Sequence, residues 1–340
     1  MKKKYQNGFF LFGAVLLALM LWQLDYREVW AGLQRAGYWF FAVVALWAGL
    51  YVFNTFTWYI ILRSGTEKPV PFWWLYKITI SGFALNYATP GGLMGGEPYR
   101  IMSLSPRVGA ECASASVILF VMTHIFSHFW FWLLSVVLFL LTQTITLPLG
   151  IMLAAVTAFC LLGIWFFMKG YRKGLAVRAM NVLKHIPFVK RWAAKYIENN
   201  REQLDDIDRQ IAALHQQSPR IFAMALGSEL TCRILSALEI FFILLVLYPS
   251  VNYMHCILIL AFTTLFANLL FFLPLQMGGR EGGFYMSVKG MGLTASDGIF
   301  VALIVRFREL IWTAIGLLLI KIENTTHNEP QPTATDKTTI

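Results

Sequence analysis

Charged side chains are scarce in this chain. They account for 14% of the 340 residues, against roughly 25% in a soluble domain, while 58% of the residues are hydrophobic. This balance excludes a soluble globular protein and predicts a polytopic membrane protein. The formal net charge of +10 is attributed to basic loops on an anionic cytoplasmic leaflet, so nucleic acid is not an expected partner.

Motifs for catalysis and for cofactor binding are also missing. The four cysteines are dispersed, with no CxxC pair, and apolar neighbours surround most of them, which is typical of inert core thiols. The chain has no Walker A sequence, no GxSxG, no HExxH and no dinucleotide fingerprint. We therefore expect no ATP site, no cofactor, no metal and no catalytic residue, and we predict that the chain is not an enzyme.

Long apolar stretches, by contrast, are abundant. A helix needs about 20 apolar residues to span a bilayer. Two stretches, 72–88 and 256–273, run directly into glycine-rich segments and are ambiguous. The other candidates are 8–24, 38–62, 112–141, 148–168, 220–248 and 298–320. The predicted fold is all-α, with six to eight transmembrane helices.

Basic residues set the expected orientation. The Lys2–Lys4 run places the N-terminus in the cytoplasm, and the basic loop 170–218 lies on the same side. Between these anchors, residues 72–110 must cross an even number of times, as a re-entrant hairpin or as two short spans. Residues 254–296 then enter from the opposite face, which gives an inverted-topology repeat of the kind found in transporters. If 256–273 crosses fully, the C-terminus lies outside instead.

The chain is expected to form a single integral membrane domain over residues 1–323. Repeat one covers about 38–141 and repeat two about 220–320, with cytoplasmic amphipathic helices over 170–218 between them. The polar tail 324–340 is expected to be disordered. No small-residue cleavage site follows the first apolar run, so that helix is expected to remain as an anchor.

Two glycine-rich segments repeat nearly the same pattern. Asn86–Arg100 reads NYATPGGLMGGEPYR and, about 180 residues later, Asn268–Gly282 reads NLLFFLPLQMGGREG. Each follows an apolar stretch and places a proline, then a Gly-Gly pair, then a glutamate near an arginine. Irregular, charged backbone is costly in lipid unless protein or a water-filled cavity surrounds it. We therefore predict two halves of an internal repeat that meet at one site.

In the first segment, Pro90 ends the incoming helix and the glycines around it permit sharp turns. Glu97 then opens a new helix, with Arg100 three residues later on the same face. Free N–H groups at a helix N-terminus suit an anion, and a guanidinium fits phosphate oxygens, so this segment resembles a site for a lipid phosphate. Alternatively, Glu97 and Arg100 neutralise each other and only hold the loop in place.

In the second segment, Pro274 breaks the helix, and Arg280 and Glu281 are adjacent. Adjacent residues do not share a helical face, so one of the two is expected to reach the first repeat while the other caps its own helix. Arg306, on the span predicted at 298–320, is a further candidate for the cavity. The candidate substrate-binding residues are Arg100, Glu97, Glu281, Arg280, Gly91, Gly92, Gly95, Gly96, Gly278, Gly279, Asn86 and Arg306.

Two other polar pairs lie on predicted membrane helices. His124 and His128 are four residues apart, a spacing that could hold a metal, but hydrogen-bonded core histidines are the favoured interpretation. Glu229 and Arg233 have the same spacing and are predicted to form a structural ion pair.

The run NYATPGGLMGGEPYRIMSL and its echo LPLQMGGREGGFY resemble the lysylphosphatidylglycerol synthase transmembrane-region family, also called flippase-like. The resemblance covers about residues 8–322, nearly the whole chain. The second motif departs from the family pattern, because Arg280 precedes Glu281. The residues that match the family motifs are Gly91, Gly92, Gly96, Glu97, Arg100, Pro274, Gly278, Gly279 and Glu281.

This resemblance implies a multi-pass protein of the bacterial inner membrane that moves or binds a phosphate-bearing, polar-headed phospholipid or glycolipid. In two-part members of the family, a separate soluble domain carries out aminoacylation. Here the longest stretch outside the membrane, 170–218, has 49 residues and is not expected to house such an activity.

Two other functions are left open: a membrane enzyme or subunit in lipid head-group modification, with Glu97 as a base, and a lipid-binding regulator that transports nothing. Two partners are left open as well: a separate lipid-modifying enzyme and a second copy of the chain.

Overall fold

A computed structural model describes residues 3–22, 26–88, 95–173, 219–269 and 279–322. These residues are helical apart from short connections, and no strand occurs among them. The helices are α1 (Lys3–Trp22), α2 (Tyr26–Ala36), α3 (Tyr38–Gly65), α4 (Phe72–Ala88), α5 (Gly96–Val108), α6 (Ala110–Thr142), α7 (Leu147–Lys173), α8 (Pro219–Leu245), α9 (Tyr253–Leu269), α10 (Gly279–Gly290) and α11 (Ala295–Ile322). The predicted all-α membrane fold is confirmed.

Several sequence predictions fall outside the described residues. Among the candidate site residues these are Gly91, Gly92 and Gly278. The two helix-breaking prolines, most of the amphipathic segment 170–218 and the tail 324–340 also lie there. Helix α4 ends at Ala88 and α5 begins at Gly96. One helix therefore ends and the next begins within the segment where the sequence predicts a break.

Helices α3, α6 and α7 are long and apolar enough to span a bilayer, with mean hydropathies of 1.6, 2.0 and 2.4 over their spans. They coincide with the predicted spans 38–62, 112–141 and 148–168. Only 11% of the α7 span is buried within the protein, and large apolar side chains such as Trp165 and Leu162 are exposed on it. Such a surface is stable in lipid and not in water, so the chain is a multi-pass membrane protein.

The helices fall into two series of matching lengths. Helices α3 to α6 have 28, 17, 13 and 33 residues, and α8 to α11 have 27, 17, 12 and 28. The contacts between the two series are also equivalent. The first helices of the two series, α3 and α8, pack on each other. The second helix of each series packs on the last helix of the other, so α4 contacts α11 and α9 contacts α6. The internal repeat predicted from two short motifs therefore extends over four helices on each side.

The two central helices, α3 and α8, run antiparallel. Trp39, at the start of α3, stacks on Phe242 near the end of α8, with ring centroids 5.4 Å apart. Further along, the amide of Asn54 donates to the sulfur of Cys232 at 3.3 Å. Because α3 and α8 occupy the same position in their repeats, antiparallel packing means that one repeat is inverted relative to the other.

Local sequence signals fix the start of the last helix of each repeat. Gly109 joins α5 to α6 with φ of 96°, a conformation that favours glycine. At α11, Thr294 and Asp297 form a capping box, in which the Thr294 N–H donates to the Asp297 carboxylate at 2.9 Å. The Tyr248 hydroxyl also donates to Asp297, at 2.6 Å, and this hydrogen bond raises the pKa of Tyr248.

Candidate functional site

A cavity of about 600 Å³ lies between the repeats. Every helix from α3 to α11 contributes to its lining. Two large apolar clusters, one mainly from each repeat, flank it. Its volume is that of a site for a ligand of drug or head-group size, and its position between domains or repeats is a common one for such sites.

The first helical hairpin, α4 and α5, packs closely at the cavity. A Cβ atom on Gly96 would lie 2.2 Å from the carbonyl oxygen of Gly82, so only glycine fits. The Gly96 N–H donates to the Oδ1 atom of Asn86 at 2.7 Å, and the Asn86 amide donates to Glu97 at 2.8 Å. The sequence predicted free N–H groups for an anion here; the structure instead shows one of them capped by Asn86.

Arg100 is the central charged group of this hairpin. Its side chain is 1% exposed and lies 3.3 Å from the carboxylate of Glu97 and 3.3 Å from the carbonyl of Thr79. The guanidinium also faces the rings of Phe83, at 4.6 Å, and Phe120, at 5.3 Å. Aromatic faces stabilise a desolvated cation and leave its in-plane donors available.

The ion pair leaves two polar atoms without a partner. Among the residues that the structure describes, Nε of Arg100 and Oε2 of Glu97 have no hydrogen-bond partner, although both atoms are buried and both residues line the cavity. An unsatisfied buried polar group costs about 1–3 kcal/mol, and more when it is charged. Arg100 and Glu97 therefore do form the ion pair in which each would neutralise the other. The pair still leaves one hydrogen-bond donor and one acceptor unused.

The second hairpin, α9 and α10, contributes a different residue from the one expected. Arg280 lines the cavity and forms an ion pair with Glu309 of α11. Glu309 also accepts a hydrogen bond from Tyr87 of α4, so Arg280 reaches the junction of the two repeats. The expectation that one of the two adjacent residues reaches the first repeat matches this arrangement.

Glu281 lies elsewhere, contrary to the prediction that it faces Glu97 across one cavity. It is 40% exposed and pairs with Arg306 at 2.5 Å in a small adjoining pocket, and neither residue lines the central cavity. The cause is helical geometry, because adjacent residues project in different directions. The structure therefore places Glu281 and Arg306 in the adjoining pocket and not on the wall of the central cavity.

The two hairpins also differ in which of their helices carries the glycine that allows close packing. In the first, Gly82 on α4 leaves room for the guanidinium, since a Cβ there would lie 2.3 Å from Nε of Arg100. In the second, the glycine is on the other helix: a Cβ atom on Gly283 of α10 would lie 3.1 Å from Cα of Thr263.

Sequence reasoning missed a second buried arginine. Arg308 of α11 donates to both oxygens of Glu239 on α8, at 2.8 and 2.9 Å, and lies 3.8 Å from the ring of Trp47. Both charges are buried, and the bidentate geometry satisfies them. The available signal was a charge within an apolar membrane helix, which by default indicates function.

The predicted ion pair of Glu229 and Arg233 is not among the ion pairs of the described residues. Glu229 instead contacts His124 at 2.9 Å, and Arg233 donates to the hydroxyl of Ser127 and to the carbonyl of His124, both at 2.6 Å. Within the part of the chain that the structure describes, no group of three or more potential metal ligands occurs.

The charges of the described residues that line the cavity balance. With neutral histidines, four arginines and four glutamates of this lining give no net charge. The charged lining residues are Arg100, Arg233, Arg280, Arg308, Glu97, Glu229, Glu239 and Glu309.

Comparison with known proteins identifies a family. The model of the family described as "Lysylphosphatidylglycerol synthase TM region" matches residues 8–316, which is most of the chain. No curated protein and no solved structure matches the chain.

Proposed function

We propose that this chain, which belongs to the lysylphosphatidylglycerol synthase TM region family, binds a phosphate-bearing, polar-headed lipid and moves it across the bacterial inner membrane. The family ties the chain to lipid head-group handling. The step from handling to movement is supported by the inverted repeat and by a cavity between its halves, an arrangement that recurs in transporters. The N-terminus is placed in the cytoplasm, as the basic residues favour.

One observation carries this proposal: the incompletely satisfied Arg100–Glu97 pair at the cavity wall. A lipid phosphate would accept a hydrogen bond from Nε of Arg100, a charge-assisted contact of the stronger kind. Oε2 of Glu97 would accept one from a hydroxyl or ammonium group of the same head. A single head group would thus satisfy the two groups that the protein leaves open.

The acyl chains need an apolar route out of the cavity. The lining includes Phe129 of α6, Phe159 of α7 and Leu269 of α9, and Leu269 is 54% exposed. Between α6 and α9 the side chains of Trp132 and Thr264 are joined by one hydrogen bond of 3.1 Å. Acyl chains would lie along this side, so that only the head group enters the polar interior.

The sequence has no nucleotide-binding motif, so movement would be downhill or coupled to an ion gradient. A separate lipid-modifying enzyme would supply or consume the lipid, and a second copy of the chain remains a candidate partner. The alternative of a membrane enzyme rests on the same Oε2 atom of Glu97 acting as a base, which its ion pair with Arg100 disfavours.

Lipid exchange in proteoliposomes tests the proposal. Fluorescent phosphatidylglycerol in the outer leaflet is quenched by dithionite, and the rate of exchange is compared between Arg100→Lys, Arg100→Ala, Glu97→Gln and the unmodified protein. Loss of a charged hydrogen bond, about 1.5–3 kcal/mol, predicts a rate lower by about 10- to 100-fold for Arg100→Ala. Arg100→Lys keeps the charge but lacks the planar donors, and is expected to recover only part of the rate.

Arg63→Ala is the matched control, because it removes an arginine that is exposed at the end of α3, outside the cavity. Variants that elute as the unmodified protein on size exclusion but exchange lipid at its rate would rule out the proposed site. A lipid product of changed mass after incubation with pure protein would favour the enzyme instead.

A further inference from the structure

A second cluster of ionisable groups faces the cavity from α6 and α8, neither of which belongs to the two hairpins. His124 and His128 lie one helical turn apart on α6, with ring centroids 5.5 Å apart. Glu229 and Arg233 have the same spacing on α8, which packs against α6. All four residues line the cavity, and none is needed for the lipid contacts proposed above.

The central contact joins Nδ1 of His124 to Oε2 of Glu229 at 2.9 Å. A carboxylate only accepts hydrogen bonds, so Nδ1 carries the proton and Nε2 of a neutral His124 remains an acceptor. Glu229 is 1% exposed. A buried carboxylate beside an imidazole stabilises the imidazolium and fixes the orientation of the ring.

Two buried polar atoms in this cluster have no hydrogen-bond partner within the described part of the chain: Oε1 of Glu229 and Nδ1 of His128. Both atoms can accept a proton. A buried polar atom without a hydrogen-bond partner is otherwise unfavourable. Arg233 provides a fixed positive charge, held by Ser127 and by the backbone of His124. Oε1 of Glu229, Nδ1 of His128 and Nε2 of His124 are therefore proton acceptors on residues that line one cavity.

We propose that His124, Glu229 and His128 form a proton-binding site that couples lipid movement to a proton gradient. The inference rests on the proposed lipid transport. One proton, taken from water on one side, binds His124 at Nε2 when the lipid phosphate enters. It is released to water on the other side when the lipid leaves, so no covalent bond is made or broken.

Electrostatic linkage explains why the two events occur together. Arg100 interacts electrostatically with Glu229, so the phosphate site and the histidine cluster lie within one field. A phosphate at Arg100 adds a negative charge to a cavity whose formal charges balance, and this favours a protonated His124. By thermodynamic reciprocity, a proton on His124 favours phosphate binding to the same extent.

The described side chains that face the cluster from neighbouring positions include no further histidine. Facing it are Arg100 from α5, Arg233 and Cys232 from α8, and the polar side chains of Thr57 and Asn54 from α3. Arginine stays charged at all relevant pH values, whereas histidine ordinarily changes charge near pH 6.5, within about one unit of the cytoplasmic value.

A pH gradient of one unit across proteoliposomes provides the test, with fluorescent phosphatidylglycerol as the probe. One proton per singly charged lipid predicts up to tenfold accumulation in the leaflet on the alkaline side, since one pH unit is a factor of ten in proton activity. The transported complex is neutral, so a potassium diffusion potential set with valinomycin is expected to produce no accumulation.

His124→Gln and Glu229→Gln are expected to abolish the accumulation, measured as the ratio of signals with and without the gradient, so that a change in absolute rate does not enter. His255→Gln is the matched control, because His255 lies at the start of α9, pairs with Gln143 and does not line the cavity. It is expected to retain the tenfold ratio.

Each result decides the matter. Exchange by the unmodified protein without accumulation, or accumulation that persists in His124→Gln, overturns the coupling and leaves lipid transport standing. Absence of any exchange by the unmodified protein overturns both. Should the variants not fold, calorimetry of the unmodified protein with phosphatidylglycerol in two buffers of different ionisation enthalpy measures proton uptake directly. About one proton per lipid supports the coupling, and none overturns it.

Discussion

The position of the Arg100 side chain depends on Gly82, which has no side chain. The guanidinium lies between α4 and α5 because Gly82 leaves the space, and the rings of Phe83 and Phe120 cover its faces. The aromatic contacts stabilise the charge, while the missing Cβ of Gly82 leaves the space that Nε and Cζ of Arg100 occupy. At the residue scale, we expect the position of this guanidinium, and not only its charge, to matter for the proposed phosphate binding.

Gly82→Ala tests this dependence. The new Cβ would lie 2.3 Å from Nε of Arg100 and 2.8 Å from its Cζ, so the guanidinium must move while its charge is kept. We expect lipid exchange to fall by about tenfold, close to the effect of losing the charged hydrogen bond itself. Exchange at the unmodified rate would show that the guanidinium does not need this position.

At the scale of the helices, α4 and α11 make a close contact between the repeats. The Ser81 hydroxyl donates to the carbonyl of Gly316 at 2.9 Å. A Cβ on Gly316 would lie 2.5 Å from Cβ of Ala84 and 2.9 Å from the carbonyl oxygen of Ile80. Small residues that let backbones approach are a typical means of helix association in membranes, where lipid offers no hydrophobic driving force.

Gly316→Ala is therefore expected to separate two helices that cannot adjust by rotating a flexible side chain. We expect a loss of about 1–3 kcal/mol in the free energy of unfolding, typical of overpacking, measured in detergent by thermal or denaturant unfolding. Gly49→Ala on α3 is the control, since nothing lies within 4 Å of its Cβ position. It should be neutral or slightly stabilising, and equal losses in both variants would contradict close packing at Gly316.

The two repeats are equivalent in order and in contacts, yet the molecule is not symmetric. The joint of α4 with α11 is closed by glycine packing, whereas the equivalent joint of α9 with α6 is bridged by the Trp132–Thr264 hydrogen bond beside the cavity. In inverted repeats, such a difference marks which side is open, and exchange of the two arrangements produces alternating access. We therefore expect the joint of α6 and α9 to move during transport.

Cross-linking tests this motion. In a background without the four native cysteines, Trp132→Cys with Thr264→Cys joined by a short cleavable bismaleimide is expected to lower lipid exchange at least tenfold, with recovery after reduction. The control pair, Trp39→Cys with Phe242→Cys, joins α3 to α8 at a stacked contact away from the cavity. Exchange that continues with the first pair joined would show that this joint stays closed throughout.

Composition and apolar patterning by themselves determined the all-α membrane class and the position of the long apolar helices, whereas the short helix α2 was not predicted. A chain with 58% apolar residues and few charges is expected to fold in lipid. Glycine-rich, charged segments within such a chain must be surrounded by protein or by a water-filled cavity. Pairs three residues apart on one helix, such as Glu97 and Arg100, were also predictable, because helical geometry alone brings them together.

Only the tertiary structure decided which charges meet across helices. The pairs Arg308–Glu239 and His124–Glu229 join residues 69 and 105 positions apart, and no local pattern encodes such contacts. The same holds for the direction of a side chain at a helix start, where Arg280 faces the cavity and the adjacent Glu281 does not. A difference of one position along a helix turns the side chain by about 100°, and only the packing of the neighbouring helices determines which direction is the interior.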